Sequence, residues 1–460
     1  MVGKYQRYPE YKNSGFYAVQ RIPISWKASK VRFQFTFGKG LTITKENLRD
    51  TGLPCVNYGE VHSRFGFEVS TEKHSLKCVD ESYLRTNKSS RLEVGDLVFA
   101  DTSEDIEGAG NFTQLVYGKD VFAGYHTIIA RPLNRKASRF WAYLFDSLEF
   151  RNQIRTSVKG VKVFSVTQAI LRSMNVWLPP LEERLAIANF LDHETDKIDA
   201  LIAKQEKLIE LLKEKRQAVI SHAVTKGLNP DVPMKDSGIE WLGEVPEHWT
   251  VGRFKNCTSR IIVGVAEAAT HAYTSHGVPI IRSTNIKESG LETDNLLFLK
   301  PEFAKNLASK AIMGKDIVTV RTGYPGISSV VPDELEGSQC FTNLISTPKH
   351  HLFSSEFLVS LLNSRPCKEY FSLEGWGSAQ KNISVPILEQ LPVSWPNLSE
   401  QLEIVNYVQE MSLKFEKLIT RTLESIVLMK ERRSSLISAA VTGKIDVRNW
   451  QPASKESTYA

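Results

Sequence analysis

The chain has 460 residues, too many for one hydrophobic core and enough for two or three domains. With 42% hydrophobic and 24% charged residues it reads as a soluble globular protein. No apolar run approaches a membrane span, and the polar start MVGKYQRYPEYK is no signal peptide. The five cysteines, Cys55, Cys78, Cys257, Cys340 and Cys367, form no CxxC pair, so neither a disulfide framework nor a zinc site is indicated and a cytoplasmic setting is expected. A net charge of +6 permits an acidic partner such as DNA without requiring one.

In chain order, the first stretch carries Lys12-Asn13-Ser14-Gly15 and then Pro23-x-x-Trp26. The segments VRFQFTF, LEVGDLVFAD and YHTIIARP alternate like strands, and ASRFWAYLFDSLEF has helical spacing. From Leu178 to Gly227 the pattern changes to one long amphipathic helix. Pro179, Pro180, Glu182 and Glu183 suit its start, and Gly227 with Pro230 suits its end. A heptad seam is expected from Ile187, Leu191, Ile198, Leu201, Leu208, Leu212 and Val219, and such a seam needs a partner helix. Glu194 with Lys197, and Glu210 with Lys213, are opposite charges one turn apart.

The chain then repeats itself. After a connector at 228–245 it reads Lys235-Asp236-Ser237-Gly238 and Pro246-x-x-Trp249, at an offset of 246 − 23 = 223. VPIIRSTNI, KDIVTVRTG and NLISTP are strand-like, and SSEFLVSLLNS is helical. From Leu398 the long-helix pattern returns without a gap, at an offset of 398 − 181 = 217. Its expected seam is Ile404, Val408, Met411, Phe415, Leu418, Met429 and Leu436. Neither helix can bury its stripe alone, so the two are expected to pack on each other. The helices match far better than the modules before them: the repeat holds one geometry fixed and lets the other vary.

LPPLEERLAIANFLD and its echo from Leu398, the phrase KDSGIEWLGEVPEHW, and VRTGYPGISSVV together resemble the DNA-specificity subunit of a type I restriction–modification enzyme, over nearly the whole chain. The N-terminal copy departs from that phrase, reading FYAVQR at 16–21 where the second copy has IEWLGE. The resemblance implies an α+β fold: two tandem mixed α/β target-recognition domains separated by two long antiparallel coiled-coil helices, an internal twofold repeat. The expected layout is a first recognition domain at 1–180, a spacer helix at 181–227, the connector, a second recognition domain at 246–397, a second helix at 398–445 and a tail at 446–460. The implied partners are double-stranded DNA with a bipartite target, two methyltransferase subunits and the restriction (translocase) subunits, with no membrane. No cofactor is expected on this chain; S-adenosylmethionine, and ATP with Mg, are expected on the partners.

The motifs that are missing agree with a non-catalytic role. Asn229-Pro230-Asp231-Val232 lacks the second proline and the aromatic of an adenine methyltransferase motif. No Gly-Lys pair is preceded by the glycine of a phosphate loop, no nuclease PD-(D/E)xK string occurs, and the ten histidines lack metal-ligand spacing such as HExxH. Two rivals remain at this point. A self-contained methyltransferase or nuclease would bind its own cofactor, and a helical scaffold would ignore DNA.

Base edges are read by Arg, Asn, Gln, Ser and Thr, and phosphates are held by Lys, Arg and hydroxyls. The strand-to-loop transitions of the second module offer Arg282, Ser283, Thr284 and Asn285, then Arg321, Thr322 and Tyr324, with Lys381 and Asn382 after a glycine-bearing turn. In the first module the counterparts are Asn57, Tyr58, His62, Arg64, Thr102 and Ser103, with Lys159 and Lys162 in a basic loop. Each could be an ordinary solvated loop residue; as a set they are the candidates for DNA contact.

Overall fold

The computed structural model describes residues 5–160, 162–265, 269–377 and 381–452. It divides into two compact units, one of residues 1–205 with 424–460 and one of residues 206–423. Both boundaries fall inside the long helices Leu181–Lys226 and Leu398–Val441. Each unit thus holds one module, the start of the helix that follows it and the end of the other copy's helix.

Both helices begin after Pro-Pro or Pro-Asn, where continued helix is blocked, and carry glutamate in the first turn. Both end on a left-handed glycine, Gly227 with φ +78° and Gly443 with φ +72°, a backbone that other residues rarely adopt. Lys197 pairs with Glu194 as expected, but Glu210 pairs with Lys207, one turn before it.

The middle of the seam differs from the sequence reading. In the first unit Ile187, Leu191, Ile198, Ile426 and Leu436 are buried and Met429 is half-buried, but Leu201 is 47% exposed and Ile202 takes its place. In the second unit Ile404, Val408 and Phe415 are buried and Met411, Leu212 and Val219 half-buried. There Leu208 is exposed beside buried Ile209, and Leu418 beside half-buried Ile419. The seam keeps its alternation of three and four only by passing through polar residues, Thr195, Gln205 and Arg216, so choosing apolar residues by identity slips the phase by one. The polar positions are not idle. Within the second unit Arg216 faces Glu416 across the helices at 3.8 Å, and within the first Arg433 Nε donates to both oxygens of Asp199 at 2.9 and 3.1 Å.

The first module is built on a five-stranded sheet ordered Phe35–Lys39, Thr127–Pro132, Leu97–Ala100, Phe112–Tyr117, Phe67–Ser70, with only the last pair parallel. The expected single helix after it is two, Ser138–Asp146 and Leu148–Ser157, because Ser147 leaves helical geometry and caps the second. Phe99, Phe112, Phe145 and Phe150 fill the space between sheet and helices. The second module repeats the arrangement with Thr258–Val263, Leu344–Pro348, Ile317–Thr319 and Ser328–Val330, all antiparallel, under Ser355–Leu362 and Arg365–Glu374.

The Pro-x-x-Trp motif locks each module to its own helix. Trp26 Nε1 donates to Glu183 at 2.7 Å in the first unit, and Trp249 Nε1 donates to Glu400 at 3.0 Å in the second. Tyr8 adds a second donor to Glu183, and His248 pairs with Glu400. Trp26→Phe removes a charge-assisted bond to a carboxylate that is 6% exposed, so unfolding of the first unit by denaturant should come earlier by about 1.5–3 kcal/mol.

The end of the opposite helix closes each unit. The Leu148 amide donates to Ser438 Oγ at 3.3 Å in the first unit, and the Arg365 amide donates to Ser221 Oγ at 3.0 Å in the second. Both residues of this contact are related by the helix offset, since 438 − 221 = 217 and 365 − 148 = 217. In the first unit Trp177 also donates to the Val441 carbonyl, the Asp446 amide donates to Gln6 O at 2.8 Å, and Trp450 packs edge-on to Phe190.

Candidate nucleic-acid interface

In the second unit the sheet delivers Arg321, Thr322 and Tyr324 just past the end of Ile317–Thr319. A second segment folds against that loop. Thr322 bridges to Asn382, Asn382 exchanges backbone hydrogen bonds with Trp376, and the Ile383 amide donates to Arg321 O at 3.1 Å. The Thr322 hydroxyl donates to the Asn382 amide oxygen, and Lys381 Nζ donates to Gly375 O at 3.1 Å. Five candidates far apart in the sequence therefore share one edge. Tyr324 is 80% exposed there and lines a cleft with Glu288, Lys368 and Lys381. Lys368 is paired with Glu288 at 2.6 Å, which leaves less of its charge for an anion. Trp376, not singled out as a candidate, stands 58% exposed on the same bridge; its only sequence signal was two flanking glycines.

The loop after Val278–Ile281 divides by role. Ser283 and Thr284 are exposed. Asn285 is 3% exposed, its oxygen accepting from the Arg282 amide at 3.0 Å and its nitrogen donating to Glu292 O at 3.2 Å. It closes the turn and has no side-chain surface to offer. The guanidinium of Arg282 reaches Asn295 O, and the Nε–H of both Arg282 and Arg321 is buried without a partner among the described residues.

The first unit repeats the pairing with different residues. Thr102 pairs with Ser165 and Ser103 with Phe164, and Lys162, two residues before this ribbon, is exposed, as is Lys159. Thr102 and Thr322 are equivalent, as are Ser165 and Asn382, with 322 − 102 = 220 and 382 − 165 = 217. Asn57 is 1% exposed and Ser103 1%, so both hold loops: Asn57 reaches Cys55 O, and Ser103 accepts from the Asp105 amide. Tyr58 and His62 are half-buried with ring centroids 5.2 Å apart, and the exposed Arg64 lies over Phe65. Burial raises the Tyr58 phenol, and the carboxylates of Glu104, Asp105 and Asp101 raise it further.

All five thiols are free and buried, and burial pushes Cys257, Cys340 and Cys367 up to about 12. Among the described residues no cluster of His, Cys, Asp or Glu could hold a metal ion, and no helix is long and apolar enough to cross a membrane.

The family model for the type I restriction modification DNA specificity domain matches twice, at residues 23–211 and 269–426. The type I restriction enzyme EcoKI specificity subunit of Escherichia coli K12 is 21% identical, over 94% of this chain and 91% of that one. The MjaVIII specificity subunit of Methanocaldococcus jannaschii is 25% identical, over 67% of this chain and 71% of the other. A solved chain from a study of complex assembly and conformational transition of the type I R-M system shares the fold with a TM-score of 0.66 at 15% identity, covering 92% of this chain and 99% of that one. The twice-repeated module, its long helices and the paired family match have one reading: this chain belongs to the type I restriction-modification DNA specificity family, whose members are non-catalytic DNA-recognition subunits.

Proposed function

We propose that the chain reads a bipartite duplex target, one half with the edge formed by 321–324, Trp376, Lys381 and Asn382, the other with the loops around Tyr58, Arg64 and Thr102 and the basic residues Lys159 and Lys162. The observation that carries this is the repeated ribbon: Thr102 with Ser165 and Thr322 with Asn382 occupy one place in the fold while the residues around them differ. A fixed scaffold with varied loops is what two independent readers need. The long helices act as an antiparallel coiled-coil ruler, a reading supported by the ion pairs Asp199–Arg433 and Arg216–Glu416.

Two methyltransferase subunits dock on the outer helix faces, where Leu201, Val427 and Leu428 in the first unit and Leu208, Leu211 and Leu413 in the second stand exposed. Restriction subunits join that complex. S-adenosylmethionine, and ATP with Mg, belong to those subunits, and the complex works in the cytoplasm.

Genome-wide adenine-methylation mapping with and without the chain tests the proposal. A split motif should vanish when the chain is deleted; an unchanged methylome overturns the reading. Inserting seven residues near Gln205 and seven near Thr422 should lengthen the ruler by about 10 Å, or about three base pairs at the 3.4 Å rise of DNA. The spacer of the methylated motif should grow while both half-sites keep their sequence. Half-sites that change at constant spacing would refute the division between reader and ruler.

A further inference from the structure

Resting on the reading of the loop around Tyr58–Arg64 as a DNA contact, we infer that His62 is a specificity-determining hydrogen-bond donor whose polarity is set by Asn111 and, behind it, by a polar chain running back to the long helices. The Asn111 amide has one possible orientation. Its oxygen lies 2.9 Å from Arg151 Nη1, a group that can only donate. Its nitrogen lies 3.3 Å from the His62 carbonyl, a group that can only accept. The same nitrogen lies 3.3 Å from His62 Nδ1, which must therefore accept. A neutral imidazole that accepts at Nδ1 carries its proton on Nε2. Among the described residues no hydrogen bond reaches Nε2. The ring therefore presents a donor with no partner among the described residues.

The chain behind Asn111 is tied down at every step. Arg151 holds Asp146 at 2.9 Å, and both side chains are 17% exposed. Asp146 accepts from Arg433 at 3.3 Å, and Arg433 holds Asp199 on the other long helix. Gly108 lets the loop close: a Cβ there would stand 2.8 Å from His62 Cε1 and 2.6 Å from Ser103 Oγ.

The surroundings select what the donor meets. Asp101, Glu104 and Asp105 act on the neighbouring Tyr58 and would repel a phosphate. A base edge with acceptors suits the place, such as guanine N7 and O6, adenine N7 or thymine O4. Among its described residues the second unit does not repeat the links made by Asp146 and Arg151. At the positions 217 residues on, Asn363 holds the Ser328 backbone and Lys368 pairs with Glu288. The effect is thus confined to one half-site.

Methylation mapping with the assembled methyltransferase tests this. In His62→Ala, one base position of one half-site should lose its preference by on the order of tenfold or more, with the other half-site unchanged. Asn111→Leu should relax the same position, and His62→Gln, which keeps an N–H, should restore part of the preference. An unchanged motif in His62→Ala, with Arg64→Ala or Tyr58→Phe altering that half-site, overturns the role of His62 while the loop reading stands. No change from any of the three overturns the loop reading as well. Should a variant fail to fold, nitrogen NMR of the native chain with labelled histidine decides: a proton on Nε2 of His62 is expected, and one on Nδ1 would refute the inference.

Discussion

Replacing Ile202 with Asp should unfold the first unit, while Leu201→Asp, one residue earlier, should leave it folded. Ile202 is 9% exposed and Leu201 47%. A carboxylate at 202 loses water without gaining a partner, at a cost of several kcal/mol. Domain stabilities are about 5–15 kcal/mol, so most of the margin would go. At 201 the same charge stays in water, and surface changes of this kind fall within about 0.5 kcal/mol. Circular dichroism melting of the purified chain separates the two. Phe415→Asp and Leu418→Asp make the same comparison in the second unit, where Phe415 is 4% and Leu418 47% exposed. On the proposed function, Leu201→Asp and Leu418→Asp should instead weaken capture of the methyltransferase subunit. Unfolding by Leu201→Asp with a stable Ile202→Asp would put the seam back where apolar identity alone suggests it.

Arg321→Ala should relax or abolish recognition at one half-site without unfolding the loop. The loop is held by backbone, through the Ile383 amide on Arg321 O and the reciprocal pairing of Trp376 with Asn382. Removing the guanidinium therefore subtracts a contact and not a fold. A lost base contact costs about 1–3 kcal/mol, read as a degenerate position in the methylated motif. Asn285→Ala makes the contrast. It removes both bonds that close its turn, and a buried group left unpaired costs about 1–3 kcal/mol of stability. Its half-site should fail together with an earlier melt of the second unit. A specific loss in Asn285→Ala with an unchanged melt would show that this buried amide touches DNA.

The repeat and its two long helices were legible because they rest on spacing, which identity and offset report directly. The phase of the seam was not. Leu201 and Ile202 are both apolar, and a polar seam position at Gln205 fits the sequence reading, but only the burial of Thr195 and the half-burial of Arg216 in place of Lys215 show which register the helices use. The candidate loops were legible as loops, since donor-rich strand ends are visible in a sequence. Which donors face outward was not. An asparagine that closes a turn, such as Asn285 or Asn57, has the same composition signal as one that reads a base. The contact of Asn111 with His62, and of Arg151 with Asn111, links segments that no local pattern connects.

The first unit takes its closing pieces from a stretch that is made only after the whole second module. Ser438 against Leu148, Val441 against Trp177 and Trp450 against Phe190 all arrive only after residues 206–423 have been synthesised. At about 5–20 residues per second, the ribosome needs on the order of ten to forty seconds to cover that interval. For that time the first module holds its aromatic face and half of a helical seam without their cover. The second unit has no such wait, because everything it packs against precedes or adjoins it. Birth order and fold order are therefore reversed, and nascent chains stalled within the second module should be the ones that engage chaperones and aggregate.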